Sequence, residues 1–285
     1  MGEGYEGYFV EDMPINKNGT SLDGFTFSNG KSNIKPTFYY NYLYARYEDG
    51  VSMAELIDST VDAMVDALAK ARTMMPSLDA DKIKANVIYE LVNPSRMGDY
   101  LDTLPHRSYL DLAIIYRWVV EKGAEGVASA VIDNKLMNTL DLTEEELFLC
   151  AVKNTPTIFH STVKSLGSIV TSMLSGSDEF DVDSLSDNEE VNNTLVVSNE
   201  ENFRGANSIL DNNVLNSIAD RLGGNFYVLP SSIHEVLAMR ATDDIDADSL
   251  RDMVVSVNSD CVMENERLSN NVYIYNTEKG ELSIA

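Results

Sequence analysis

The sequence predicts an α+β fold in which helices pack on mixed and antiparallel sheets. Three observations predict it. Apolar residues recur at helical spacing behind capping boxes that begin at Ser52 and Thr143. Short runs rich in aromatic and β-branched residues lie between the helices and read as strands. After residue 193 the two patterns interleave as strand, helix, strand, strand, helix, strand, the order of a split βαβ, ferredoxin-like unit.

Taken in order, residues 5–12 and 21–28 have strand-type composition, and the Asn18-Gly19 pair between them favours a tight hairpin turn. "NIKPTFYYNYLYARYEDG" predicts a short aromatic helix ending at Gly50. Behind Ser52 and Glu55, the apolar positions Ile57, Val61, Met64, Val65 and Leu68 extend an amphipathic helix over 52–74. The stretch from Lys84 to Leu142 reads as strand, short helix, long strand and return strand, with Pro105 at the helix exit. In the long strand Leu110, Leu112, Ile114, Tyr116 and Trp118 share one face, and Asp111, Ala113, Ile115 and Arg117 the other. A wholly apolar face predicts a central strand.

Thr143 with Glu146 opens a helix that Pro156 is expected to close, and residues 162–174 are expected to continue helically. "SGSDEFDVDSLSDNEE" holds seven acids and no base, the makeup of a solvated, disordered loop. It fails as a calcium loop: counted from Asp181, Ser186 stands where glycine is needed and Asn192 where a bidentate glutamate is needed. Strand "NTLVVS", a helix from Ala206 to Leu222 stopped by Gly223 and Gly224, strands "NFYVLP" and "IHEVLAM", a helix from Asp248 and strand "NVYIY" follow. "TEKGELSIA" adds an edge hairpin strand. The reading thus divides the chain into a lobe of hairpin, long helix and sheet (1–140), a helical connector (141–175), an acidic disordered loop (176–192) and a ferredoxin-like α+β lobe (193–285). Both helices of the last lobe are expected on one face of a single antiparallel sheet.

Against 46 acidic residues stand 21 basic ones, a net charge of −25 that repels a phosphate backbone and argues against direct nucleic-acid binding. No apolar run approaches the roughly 20 residues needed to cross a bilayer, so no membrane partner is expected. The first residues lack the basic and apolar regions of a secretory signal, which points to the cytoplasm. Cys150 and Cys261 belong to no C-x-x-C pair and are expected as buried free thiols. H-E-x-x-H, Walker A and G-x-G-x-x-G motifs are absent, and His106, His160 and His234 lack ligand spacing; no metal and no cofactor are expected.

"FYVLPSSIHEVLAM" holds the strongest catalytic candidates, Ser231, Ser232 and His234. In an extended chain Ser232, His234, Val236 and Ala238 share one face while Ile233, Glu235, Leu237 and Met239 share the other. No nucleophile elbow surrounds either serine, so a polar strand start with a buried Ile233 and Leu237 is the stronger reading. His106, Arg107 and Asp111 form a second candidate, acid–base or anion-binding, although a turn histidine after Pro105 beside an exposed arginine is the stronger reading. The clearest compositional anomaly is the run Phe38, Tyr39, Tyr40, Tyr42, Tyr44 and Tyr47. One helix face cannot bury them all, so Tyr40, Tyr44 and Tyr47 with Arg46 are expected to line a contact surface.

The segments "NIKPTFYYNYLYARYEDGVSMAELI", "LVNPSRMGDYLDTLPHRSYLDLAIIYRWV", "LTEEELFLCAVKNTP", "RGANSIL" and "FYVLPSSIHEVLAM" together resemble a domain-of-unknown-function family of Firmicutes, frequent in gut Clostridia, from about residue 17 onward. The C-terminal half is also similar to a second uncharacterised bacterial cytosolic family at Thr143 to Asn154, Gly205 to Leu210 and Val228 to Ser231. Members of the first family usually have a helix before the hairpin, and its absence here implies a shortened start. Neither resemblance brings an activity, cofactor or site residue. The expected function is a non-enzymatic cytosolic binding or interaction protein with a protein or peptide partner. The alternative is a hydrolase or transferase using Ser232 with His234, or His106 with Asp111.

Overall fold

The computed structural model describes residues 8–17, 20–28, 37–73, 79–123, 126–174, 193–230 and 232–285. The Asn-Gly hairpin turn, the acidic tract and Ser231 lie outside the described residues. The fold is α+β, built on antiparallel sheets. The chain divides into two compact units, Met1–Ser77 and Leu78–Ala285, whereas the sequence places its first boundary near residue 140.

In the first unit β1 (Phe9–Lys17) and β2 (Thr20–Ser28) form the expected hairpin, and β3 (Thr37–Tyr39) adds a strand where the aromatic run predicts helix. β3 pairs Phe38 with Phe25 and Thr37 with Thr26, so cross-strand partners override helix periodicity there. The helix α1 then runs Tyr40–Glu48. Gly50, at φ +93°, turns the chain, and Ser52 Oγ accepts the Glu55 N–H at 3.3 Å to start α2 (Met53–Thr73). Phe25, Phe27, Met64 and Leu68 form the small core of this unit.

The second unit opens with α3 (Ala80–Asn86), capped by the Asp79 carboxylate, and β4 (Val87–Val92). α4 (Pro94–Met97) and a 3₁₀ turn lead to β5 (His106–Tyr109) and β6 (Leu112–Gly123), with β7 (Gly126–Val131) returning along β6. β6 is central, between β4 on one edge and β5 then β7 on the other. The expected long strand through residue 110 is instead a tight hairpin, with Leu110 at φ +55°. Leu110 gives no turn signal, since a left-handed non-glycine residue costs about 1–2 kcal/mol, and Asp111 beside it is the one residue of a turn-forming type. The faces of β6 past the turn match expectation, with Leu112, Ile114, Tyr116 and Trp118 in one cluster and Ala113 and Ile115 in another.

α5 (Asn134–Thr139) precedes α6 (Glu144–Ile158), whose capping box is complete: Glu146 N–H donates to Thr143 Oγ1 at 3.2 Å, and Thr143 N–H to Glu146 Oε2 at 2.9 Å. Thr143→Ala should cost about 1 kcal/mol in urea unfolding, and an unchanged midpoint would discount the cap. Pro156 does not close α6 but sits in its last turn, where Thr155 Oγ1 reaches both the Ala151 carbonyl and the Tyr89 amide. Residues 161–165 are not helical either. They form β8 (Ser161–Ser165), which pairs with β9 (Thr194–Asn199), and α7 (Leu166–Leu174) begins only after it.

From β9 the expected order holds, though the first helical stretch begins as a 3₁₀ turn (Gly205–Leu210) before α8 (Asn212–Leu222). β10 (Phe226–Leu229), β11 (Val236–Arg240), α9 (Ala247–Asp260), β12 (Tyr273–Asn276) and β13 (Glu281–Ile284) follow. The sheet order is β13-β12-β10-β11-β9-β8, with every pairing antiparallel. The expectation that both helices share a face is corrected. α8 packs Leu215 and Ile218 into the cluster of Phe226, Val228 and Ala238, whereas α9 packs Leu250 and Val254 with Leu229 and, at the edge, Tyr227, Leu237 and Met239. "FYVL" is apolar on both sides of the pleat, so each face of the sheet takes its own helix.

Candidate functional site

The helix α1 buries none of its residues. Its tyrosines at 40, 44 and 47 recur at i, i+4 and i+7 with Leu43 beside them, so they form one stripe. That stripe faces Val10, Phe25 and Phe27 of the hairpin and the Met53, Ile57, Val61 side of α2, around an open cavity of about 610 Å³. The volume falls within the ordinary range of ligand sites. The lining is almost wholly apolar, and its one threonine, Thr60, already donates to the Leu56 carbonyl at 2.6 Å.

Tyr44 is 61% exposed and Tyr47 50%. Tyr40 stacks at a tilt on Phe25, with ring centroids 4.7 Å apart, and its hydroxyl donates to Asp12 Oδ1 at 2.6 Å. That bond, more than burial, raises the Tyr40 pKa above the ordinary phenol value. Arg46 does not join the stripe; its guanidinium reaches Ser59 Oγ at 3.5 Å on α2.

The second unit contains a buried charge cluster that none of the sequence motifs marks. Glu90 of β4 is 2% exposed and lies between two guanidiniums, with Arg117 Nη1 at 3.2 Å from Oε2 and Arg204 Nη1 against Oε1. Burial pushes both arginines down to about 10, which leaves them charged at neutral pH. Arg204 adopts φ +53°, and Gly205 after it fits so closely that an added Cβ would stand 2.3 Å from Ser198 Oγ and 2.6 Å from the His234 carbonyl. The available signal was a lone charge inside each of two apolar runs, "VIYELV" and "LAIIYRWVV".

The catalytic candidates separate. Ser232 Oγ accepts the backbone N–H of His234 at 3.0 Å, a serine turn rather than a nucleophile–imidazole contact. The imidazole Nδ1 lies 3.0 Å from the Asn202 carbonyl and 3.3 Å from the Arg204 amide, and Nε2 lies 3.6 Å from Glu266. That turn also breaks the expected alternation. Ile233 joins the cluster of Val236 and Ala238 instead of sharing a face with Leu237.

His106 and Asp111 stand at opposite ends of the β5–β6 hairpin. His106 Nδ1 is 2.9 Å from the Leu104 carbonyl, while Asp111 accepts from Ser269 (2.6 Å), Asn271 (2.9 Å) and Tyr273 (2.6 Å). Burial, reinforced by Asp111, raises the Tyr273 pKa far above normal. Both cysteines are free thiols, but Cys261 is exposed at the end of α9 and not buried as expected, and Cys150 is half-buried. Among the described residues no group of three or more His, Cys, Asp or Glu is placed to hold a metal ion, and no helix is long and apolar enough to cross a membrane.

A family model described as a family of unknown function, DUF5688, matches residues 3–277. No curated protein and no solved structure matches the chain.

Proposed function

The chain belongs to the DUF5688 family of unknown function, so a reading of its role rests on its own side chains, and we propose a non-enzymatic binding protein whose N-terminal unit receives a protein or peptide partner. The observation that carries this is the apolar cavity with Tyr40, Tyr44 and Tyr47 along its lining. Large aromatic side chains left exposed beside a concave apolar surface gain most by burial against a second apolar surface. They also dominate binding energy at interfaces where they are found. The resemblance to clostridial sequences and the net charge of −25 support a bacterial, cytosolic setting.

A photo-crosslinking residue in place of Tyr44 should capture a polypeptide from a lysate of the source cells, whereas the same residue at exposed Leu149 on α6 should not. For the partner so identified, Tyr44→Ala and Tyr47→Ala should each weaken affinity about tenfold, or about 1.4 kcal/mol. Equal capture at both positions, or affinity indifferent to both tyrosines, would remove this surface from consideration.

A further inference from the structure

The hairpin face that lines the groove is not apolar to its end. Val10 pairs with Phe27 and Asp12 with Phe25, and Asp23 stands two residues before Phe25. Residues two apart on a strand share a face, so Asp12 and Asp23 lie on the same side of the hairpin as Val10, Phe25 and Phe27. Two carboxylates on neighbouring strands of one face repel each other unless a cation sits near them. Both act electrostatically on Tyr40, a lining residue, which brings them to that end of the groove. On α1, Glu48 follows Tyr44 by four residues and so flanks the stripe on the same side. Among residues of this unit whose side chains are described, Arg46 is the sole base, and it is turned to Ser59.

We propose that the groove takes an amphipathic helix with a Lys or Arg at its edge, the apolar face packing on the tyrosines and the cation meeting Asp12 and Asp23. This rests on the binding reading above and specifies the chemistry of the partner. The lining itself comes largely from helices, so a helical guest laid in the groove meets ridges of matching spacing. Desolvated only on one side, the carboxylates favour the cationic guest mainly through selectivity and association rate.

The test uses two labelled peptides of about 18 residues with one apolar face in common, one carrying lysine and one glutamate on the polar face. Binding to the full chain is read by fluorescence anisotropy at about 0.05 M and about 0.5 M salt. The lysine peptide should bind at least about tenfold more tightly at low salt, the preference shrinking at high salt. Asp12→Asn with Asp23→Asn, which keeps an acceptor for Tyr40, should bring the ratio of the two affinities toward one. Ile57→Glu, at an exposed lining position, should weaken lysine-peptide binding although it adds an acid.

Equal binding of both peptides would overturn the cationic preference and leave the groove reading standing. If neither binds, both fall. A lysine preference that survives the double asparagine variant, or grows with Ile57→Glu, traces to the field of the whole acidic chain and also overturns the proposal.

Discussion

Glu90→Ala should lower the free energy of unfolding by about 3–5 kcal/mol, because it leaves two guanidiniums in the interior with the carboxylate between them gone. That is a large share of the roughly 5–15 kcal/mol that holds a typical domain together. The cost arises from stranded charge and not from lost attraction, since a buried pair gains little net energy once both ions have been desolvated. Urea unfolding followed by tryptophan fluorescence reads it directly, because Trp118 lies one residue from Arg117 on β6. The surface pair of Lys84 and Glu146 is the control, and removing Lys84 should leave the midpoint nearly unmoved. A Glu90→Ala loss below about 1 kcal/mol would mean that water reaches the two arginines and that the cluster is not the sealed unit its burial describes.

Ile233→Ala should cost about 2–5 kcal/mol, and His234→Ala distinctly less. Ile233 is 4% exposed and belongs to the main core of the second unit. His234 contributes its backbone to the neighbouring structure, the N–H to Ser232 and the carbonyl to Ser198, and both bonds survive removal of the imidazole. Paired thermal melts of the two variants decide between a fold-determining turn and a reactive one. A His234→Ala shift as large as that of Ile233→Ala would show that the imidazole holds the Asn202–Arg204 loop in place and is a structural element in its own right.

Much of the fold was legible in the residues, for identifiable reasons. Capping boxes and amphipathic stripes act locally, and α2 and α6 begin where Ser52 and Thr143 indicated. What escaped was decided at a distance. β8 and β3 are strands because β9 and β2 lie alongside them, and neither partner is visible from a short window. The hairpin at Leu110 escaped because its one turn-type residue, Asp111, is held by Ser269, Asn271 and Tyr273, donors more than 150 residues away. At the candidate groove the helical repeat of Tyr40, Tyr44 and Tyr47 is readable from spacing alone, while the presence of Asp12 and Asp23 on the same side depends on hairpin register. Glu90 was hidden because Arg204, one of its two partners, lies 114 residues away, and nothing in a short window around either residue points to the other.

The bonds to Asp111 also bear on the order in which the chain can be completed as it is made. Asp111 is synthesised 158 residues ahead of Ser269, an interval of about 8–32 s at roughly 5–20 residues per second. Asn93 waits longer still, 175 residues, for the Leu268 carbonyl. Throughout that interval the β5–β6 turn, with its left-handed leucine, lacks the donors that hold it in the finished fold, whereas Phe25, Phe27, Met64 and Leu68, the small core of the first unit, all lie within the first 77 residues. The stretch that lines the tyrosine groove, from Val10 to Met64, is therefore complete before any of the donors to Asp111 has been made.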